Sequence, residues 1–183
     1  MSLVRKHLSI ALCLALLGSP ALHGADAGEY EVKAAYLYRF LPFVTWPEPN
    51  QELTGEPVVI AVVGSDPFGK GLDEALRGKS LGGRPIVVKR FRSFSDYQPS
   101  SLVFIAQSEQ AHYASILAQL EGKPVLVVGE GEEFCRAGGA IGFLIVDHKV
   151  RFAISQEAIR QAGLQISSKL MALGVACPTR SRP

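Results

Sequence analysis

The segment with the most chemical promise is Gly64-Ser65-Asp66-Pro67-Phe68-Gly69-Lys70-Gly71. It follows an apolar run, opens a helix, and comes close to the phosphate-cradling pattern G-x-x-x-x-G-K-[ST]. Its chemistry fails at three points. Gly71 stands where a hydroxyl would hold Mg²⁺, Pro67 removes a backbone N–H from the cradle, and Asp66 brings negative charge toward the phosphates. The expectation is an ordinary strand-to-helix turn capped by Ser65 or Asp66. Gly129-Glu130-Gly131-Glu132-Glu133-Phe134 begins like a dinucleotide fingerprint. Phe134 then occupies the place of the third glycine, and three glutamates would repel a pyrophosphate.

Histidine offers no more. His7 and His23 lie in the first 27 residues, while His112 and His148 stand apart, and no metal-binding spacing such as HExxH occurs. His148 follows Asp147, but no G-x-S-x-G nucleophile turn accompanies them. The expectations are therefore no catalytic residue, no cofactor-binding residue, no metal ligand and no enzyme activity. The candidate contact residues are instead aromatic and basic. Tyr36, Phe40 and Trp46 belong to a cluster with Tyr38 and Phe43 that exceeds what one helical face needs, so part of it can dock a partner or a small ligand; core packing is the other account. Arg39, between Tyr38 and Phe40, and Lys169, followed by Leu170, can bind an anion or an acidic patch, or simply lie on solvated helix faces.

These side chains must be carried by a chain that begins with an export signal. Arg5 and Lys6 precede an apolar run from Leu8 to Leu17, broken by Gly18 and Pro20, and Ala25-Asp26-Ala27 supplies small residues for cleavage. The run is too short to span a bilayer. The reading is a signal peptide over 1–27, cut after Ala27, a single domain over 28–176 and a flexible tail over 177–183. A formal net charge of +2 gives no reason to expect a nucleic-acid partner. Of three cysteines, Cys135 and Cys177 survive such a cut. They can pair in an oxidising compartment, remain free, or bond between chains.

Apolar residues at spacings of three and four predict a helix from Glu29 to Val44, ending or kinking near Pro42. The unbroken run from Pro57 to Val63 predicts a strand covered on both faces. Further strands are expected at 85–91, 101–105 and 124–128, with helices at 68–76 and 109–120 and a polar segment at 129–136. Ala140–Val146 and Lys149–Ile154 predict an antiparallel hairpin turning at Asp147-His148. Ser155 is placed to cap a helix from Gln156 to Ala162, with a further helix over Leu164–Leu173. The fold class expected is a layered α/β sandwich: a mostly parallel central sheet of about five to six strands, a C-terminal β-hairpin and flanking helices.

Several stretches together resemble the YfiR-like family of periplasmic proteins. They are Glu31-Val32-Lys33-Ala34-Ala35-Tyr36-Leu37-Tyr38-Arg39-Phe40 with Trp46-Pro47, then Gly64-Ser65-Asp66-Pro67-Phe68-Gly69, Gly138-Gly139-Ala140-Ile141-Gly142-Phe143, Val150-Arg151-Phe152-Ala153-Ile154 and Ile166-Ser167-Ser168-Lys169-Leu170. The resemblance implies a periplasmic regulator that represses a membrane-bound diguanylate cyclase by binding its periplasmic portion, lowering cyclic di-GMP and so affecting biofilm growth. It also implies an outer-membrane lipoprotein as a second partner, a homodimer, and intramolecular disulfides, of which this chain can form at most one. A reading from another class is a periplasmic small-ligand-binding module feeding a sensor kinase or transporter, because layered α/β sheets bind ligands beyond their strand ends.

Overall fold

Alternation along the strands decides the architecture. In the run from Val58 to Val63, Ile60 and Val62 face one apolar cluster while Ala61 and Val63 face another, so both sides of the sheet are covered and no polar residue can be accommodated on either. The computed structural model describes residues 24–47 and 56–178. Most of the expected signal segment over 1–27 and of the expected tail over 177–183 falls outside the described residues.

Helix α1 (Gly24–Phe40) buries Ala34, Leu37 and Phe40. Pro42 tightens the chain into a 3₁₀ turn (Leu41–Phe43), which delivers the short strand β1 (Val44–Thr45). Strand β2 (Val58–Val63) leads through α2 (Lys70–Leu76) and β3 (Ser80–Leu81) to β4 (Arg84–Phe91). Then come β5 (Leu102–Ile105), a 3₁₀ stretch (Gln107–His112), α3 (Tyr113–Leu120), β6 (Leu126–Glu130), α4 (Gly131–Ala137), β7 (Ile141–Val146) and β8 (Lys149–Ile154). The chain finishes with α5 (Gln156–Gln161), β9 (Gln165–Ile166), α6 (Ser168–Met171) and β10 (Val175–Ala176).

The main sheet has eight strands in the order β10-β8-β7-β6-β5-β2-β4-β3. The run β4-β2-β5-β6-β7 is parallel, as is β10 with β8; β7–β8 and β3–β4 are antiparallel. Helices α1 and α2 contribute to the cluster on one face, α3 and α4 to the cluster on the other. From β2 the chain first moves outward to β4 and then returns to the other side of β2 as β5, which makes a topological switch point between β2 and β5.

The layered, mostly parallel sheet with its late hairpin is the architecture expected from sequence, with eight strands in place of five to six. The added strands β3 and β10 are two residues long. At the hairpin tip Asp147 and His148 both take positive φ (49° and 58°), as the two central residues of a type I′ turn must. Ser155 caps α5 by accepting from the N–H of Ala158. Other details differ. Residues 131–137 form α4, where a polar segment was expected, because Glu132 and Glu133 sit in its first turn and Arg136 in its last, each favourable to the helix dipole. Leu164–Leu173 is not a helix: Gly163 turns the chain at φ 68°, β9 pairs antiparallel with β1, and only α6 is helical. Gly69, not Ser65 or Asp66, is the N-cap of α2.

Phe134 explains a group of glycines. Its ring lies so close to Gly129 and Gly139 that a Cβ there would sit 2.5 Å and 2.0 Å from ring carbons. Only bare backbone lets α4 seat this side chain, fully buried, against β6 and the entry to β7.

Candidate functional site

At the carboxyl ends of the central strands, the turn after β2 is closed by its own ion pairs. Asp66 Oδ1 accepts from the N–H of Phe68 at 2.8 Å, and its Oδ2 accepts from Arg90 Nε at 2.6 Å. The same guanidinium donates to Asp73 and to the carbonyl of Gly69. Arg90 thereby holds the Asp73 carboxyl below the usual carboxylate range, chiefly by hydrogen bonding and against a smaller opposing effect of burial. The segment that resembles a phosphate loop is thus a turn clamped by Arg90, whose guanidinium already carries two carboxylates.

The next strand end holds a charge cluster that sequence reading missed. Lys33, only 3% exposed, places its Nζ between the carboxylates of Glu29 and Glu130. Tyr30 donates its hydroxyl to Glu130 Oε1 at 3.1 Å, and Lys33 Nζ lies 4.4 Å from the centre of the Tyr30 ring. A buried ammonium needs such partners, so the cluster pins the first turns of α1 to the end of β6. The sequence signal was present: Lys33 falls on the helical face carrying Tyr30, Ala34, Leu37 and Phe40. Nearby, the Tyr113 hydroxyl is buried without a hydrogen-bond partner among the described residues. Burial first, then the charges of Glu130, Glu133 and Glu109, pushes its phenol well above the ordinary value.

The seven residues singled out from sequence do not converge on one site. Tyr36, half-buried, packs against Phe40, Phe143 and Phe152. Phe40 is fully enclosed, in contact with Phe143 and Phe152, and so serves the core; a partner cannot reach it. Arg39 and Lys169 are exposed, on α1 and α6. Trp46 lies beyond β1, at the opposite edge of the sheet from the charge cluster, with its Nε1 donating to the carbonyl of Ser101 at 3.2 Å. Cys135 on α4 and Cys177 after β10 are joined as a disulfide with Cα atoms 5.5 Å apart. Cys177 also donates its N–H to Ile154, so the tail does not start free at that residue.

Two features remain that can recognise another molecule. One is apolar and exposed. Ile145 stands two residues beyond Phe143 on β7, on the face that α1 covers, and is 52% exposed; Val32, one turn before Tyr36 on α1, is 44% exposed. Val150, the register partner of Ile145 on β8, is partly buried against the core. The other is a cleft of about 570 Å³ bordered by Trp46 and Arg84 at the opposite edge. Among the described residues no group of three or more His, Cys, Asp or Glu side chains is placed to hold a metal. His112 reaches only the carboxylate of Glu109, at 3.5 Å. No helix among the described residues is long and apolar enough to cross a membrane.

The sequence profile of the family described as YfiR/HmsC-like matches residues 30–175, nearly the whole described chain. The chain belongs to the YfiR/HmsC-like family. Members of that family are periplasmic regulators, generally without catalytic activity, and a site built from an apolar surface and clamped turns fits such a role. No curated protein shows a significant match to this YfiR/HmsC-like chain. Among solved structures, the crystal structure of a conserved domain protein from Vibrio cholerae O1 biovar El Tor strain N16961 is similar, with a TM-score of 0.54 at 12% identity. The match covers 82% of the present chain and 60% of that one, and at this identity it establishes a shared fold.

Proposed function

We propose that this YfiR/HmsC-like protein is a periplasmic, non-enzymatic repressor of a membrane-bound diguanylate cyclase, acting by binding the cyclase's periplasmic portion and lowering cyclic di-GMP. The mature form in this reading is the domain over 28–176, released by cleavage of a signal peptide over 1–27, and it works as a homodimer that an outer-membrane lipoprotein can sequester. The observation that carries the proposal is the exposure of two branched apolar side chains, Val32 on α1 and Ile145 on β7, beside aromatics that are themselves packed. Repression needs no chemistry. A protein that binds the inactive conformation of its target more tightly than the active one shifts the population toward the inactive state.

The test is cellular cyclic di-GMP in a strain holding the cyclase. Deleting the gene raises the level, restoring it lowers the level, and Ile145→Asp or Val32→Asp fails to restore repression while the protein still folds and is exported. An unchanged level on deletion, with the cyclase present, overturns the proposal. The competing small-ligand reading draws on the cleft beside Trp46 and Arg84.

A further inference from the structure

We infer that the open edge of β8 beside the hairpin tip is a docking site for an extended segment of a partner protein, one that alternates acidic with apolar residues and joins the sheet as a further strand. Strand β10 covers β8 only at Ala153 and Ile154. The Cys177 N–H donates to the Ile154 carbonyl, so Ile154 turns its peptide groups away from β7, and by the alternation of an antiparallel pair Phe152 and Val150 do the same. The turn at Asp147-His148 agrees. A two-residue loop closes on a bonded pair, here Val146 with Lys149, which again leaves Val150 facing outward. No described strand pairs with β8 between Lys149 and Phe152 on that side, and the outward N–H groups of Val150 and Phe152 are free to take a further strand.

The two faces of this edge set the chemistry of that strand. On the α1 face stands Val150, level with Ile145. On the other face, where Gly142 meets Cys135, Arg151 pairs with Leu144 and Lys149 with Val146. Of the five large apolar side chains exposed among the described residues, four belong to this end of the sheet: Ile145, Val146, and Leu173 and Val175 at the start of β10. Lys149 and Arg151 are exposed and form no ion pair among the described residues, whereas Arg136 and Arg160 each hold a glutamate of their own helix. They outnumber Asp147, the one acid between Ala140 and Ser155. An antiparallel pairing of this edge with a second copy sets these cations against each other, which is destabilising, while an acidic strand meets opposite charge. The outer edge of β4 is the contrast. It too is open beyond β3, but Arg90 there is tied to Asp66 and Asp73, and none of the exposed large apolar side chains lies on it. Charge on an edge strand is enough to repel stray strands; the apolar side chains flanking β8 serve no such purpose.

The inference rests on the reading of Ile145 as partner surface, and its test needs no cyclase, so a negative result leaves the gene-deletion experiment standing. The mature protein is titrated with an octapeptide alternating valine and glutamate, and with the same peptide carrying lysine for glutamate. Hydrogen exchange at single amides reads the site. The glutamate peptide is expected to protect the amides of Val150 and Phe152 and to bind about tenfold or more tightly than the lysine peptide. Lys149→Glu/Arg151→Glu is expected to reverse that preference. Val150→Pro removes an N–H that the fold does not use, and is expected to keep the melting temperature and to lower affinity for the glutamate peptide about tenfold or more. The inference is overturned by the absence of saturable binding, by equal affinity for the two peptides, by protection only at other amides, or by a charge-reversed protein that still prefers glutamate. It is also overturned if the Val150 and Phe152 amides are protected without peptide and lose that protection on dilution, which assigns the edge to a second copy. Should Val150→Pro fail to fold, the charge-reversed variant decides.

Discussion

Removing the Cys135–Cys177 bridge is the perturbation whose cost follows most directly from the geometry. The two residues are 42 positions apart, and a cross-link closing a loop of that length lowers the entropy of the unfolded chain by an amount worth about 4 kcal/mol. Part of this is recovered in the native state of the unlinked protein. Strand β10 makes only a two-residue contact with β8, and its flanking side chains are exposed, Leu173 at 71% and Val175 at 54%, so little besides the bridge holds it. Fraying of this segment returns about 1 kcal/mol of conformational entropy, leaving a net loss of about 3 kcal/mol. For a domain of this size, that lowers the melting temperature by about 6–12 °C. The assay is urea and thermal unfolding of Cys135→Ser/Cys177→Ser beside the oxidised parent, with the reduced parent expected to coincide with the double variant. Hydrogen exchange on the reduced parent adds a local readout: the Cys177 amide, bonded to Ile154, loses protection while the amides of β5 and β6 keep theirs. A double variant within about 1 kcal/mol of the oxidised parent, or a Cys177 amide that stays protected after reduction, refutes the reasoning.

Lys33→Met is expected to destabilise by about 3–5 kcal/mol, because it leaves Glu130 buried without its ammonium, and Lys33→Met/Glu130→Leu to regain most of that loss; urea unfolding of both variants checks the pair. Gly139→Ala drives a methyl into the Phe134 ring and is expected to cost about 1–3 kcal/mol or more, with Phe134→Leu in the same chain relieving part of the cost. Tyr113→Phe removes a buried hydroxyl that has no partner and is expected to be neutral or stabilising by about 1 kcal/mol at neutral pH. For the parent, the folded-state phenol titrates above the unfolded value, so the contribution of the neutral Tyr113 is full below about pH 10 and is lost as pH rises toward the folded value. Unfolding measured from pH 8 to 11 should show a steeper loss for the parent than for Tyr113→Phe. Asp73 has the opposite sign: its stabilising effect is present above the ordinary carboxylate value and fades as pH falls through the lowered folded-state value, and since both Asp73 and Arg90 are substantially exposed, Asp73→Asn costs less than about 1 kcal/mol at pH 7 and progressively less in acid.

What sequence conveyed and what it did not divides along the range of the interactions. The run from Val58 to Val63 is legible because burial on both faces leaves a continuous β-branched stretch that no solvent-facing strand would carry. The hairpin at Asp147-His148 is legible because two residues suffice to reverse the chain. Strands β1, β3, β9 and β10 have two residues each; their pairing is decided by the strand alongside, and no local periodicity encodes it. The apolar spacing of Leu164, Ile166 and Leu170 suited a helix, yet Gly163 breaks the chain and β1 recruits Gln165 and Ile166. The site was less legible than the fold. Glu29 stands one helical turn before Lys33, but the buried partner, Glu130, is 97 residues away, so nothing local announces the buried pair beyond the place of Lys33 on an apolar face. Phe40 and Trp46 look alike as members of one aromatic cluster, but α1 turns the first into the core and the turn at Pro42 carries the second to the sheet's far edge.

The magnitudes also bear on whether so small an exposed surface can regulate anything. Moving a target from almost wholly active to almost wholly inactive takes about 5.5 kcal/mol of difference in binding between its two conformations. At about 25 cal/mol per Å² this corresponds to roughly 220 Å² of apolar area contacted in one conformation and not in the other. Val32 and Ile145, with the still-exposed parts of Tyr36 and Val150, can supply part of that difference, and an aromatic side chain of the target, which buries about 150–250 Å² when fully covered, can supply the rest. Total affinity is a separate matter, set by a larger contact that includes charged and polar rims. The rigid core beneath matters for the same reason. With Phe40, Phe143 and Phe152 packed edge to face and stacked, the surface they support cannot adapt equally to both target conformations, and a surface that adapted equally would shift nothing however tightly it bound.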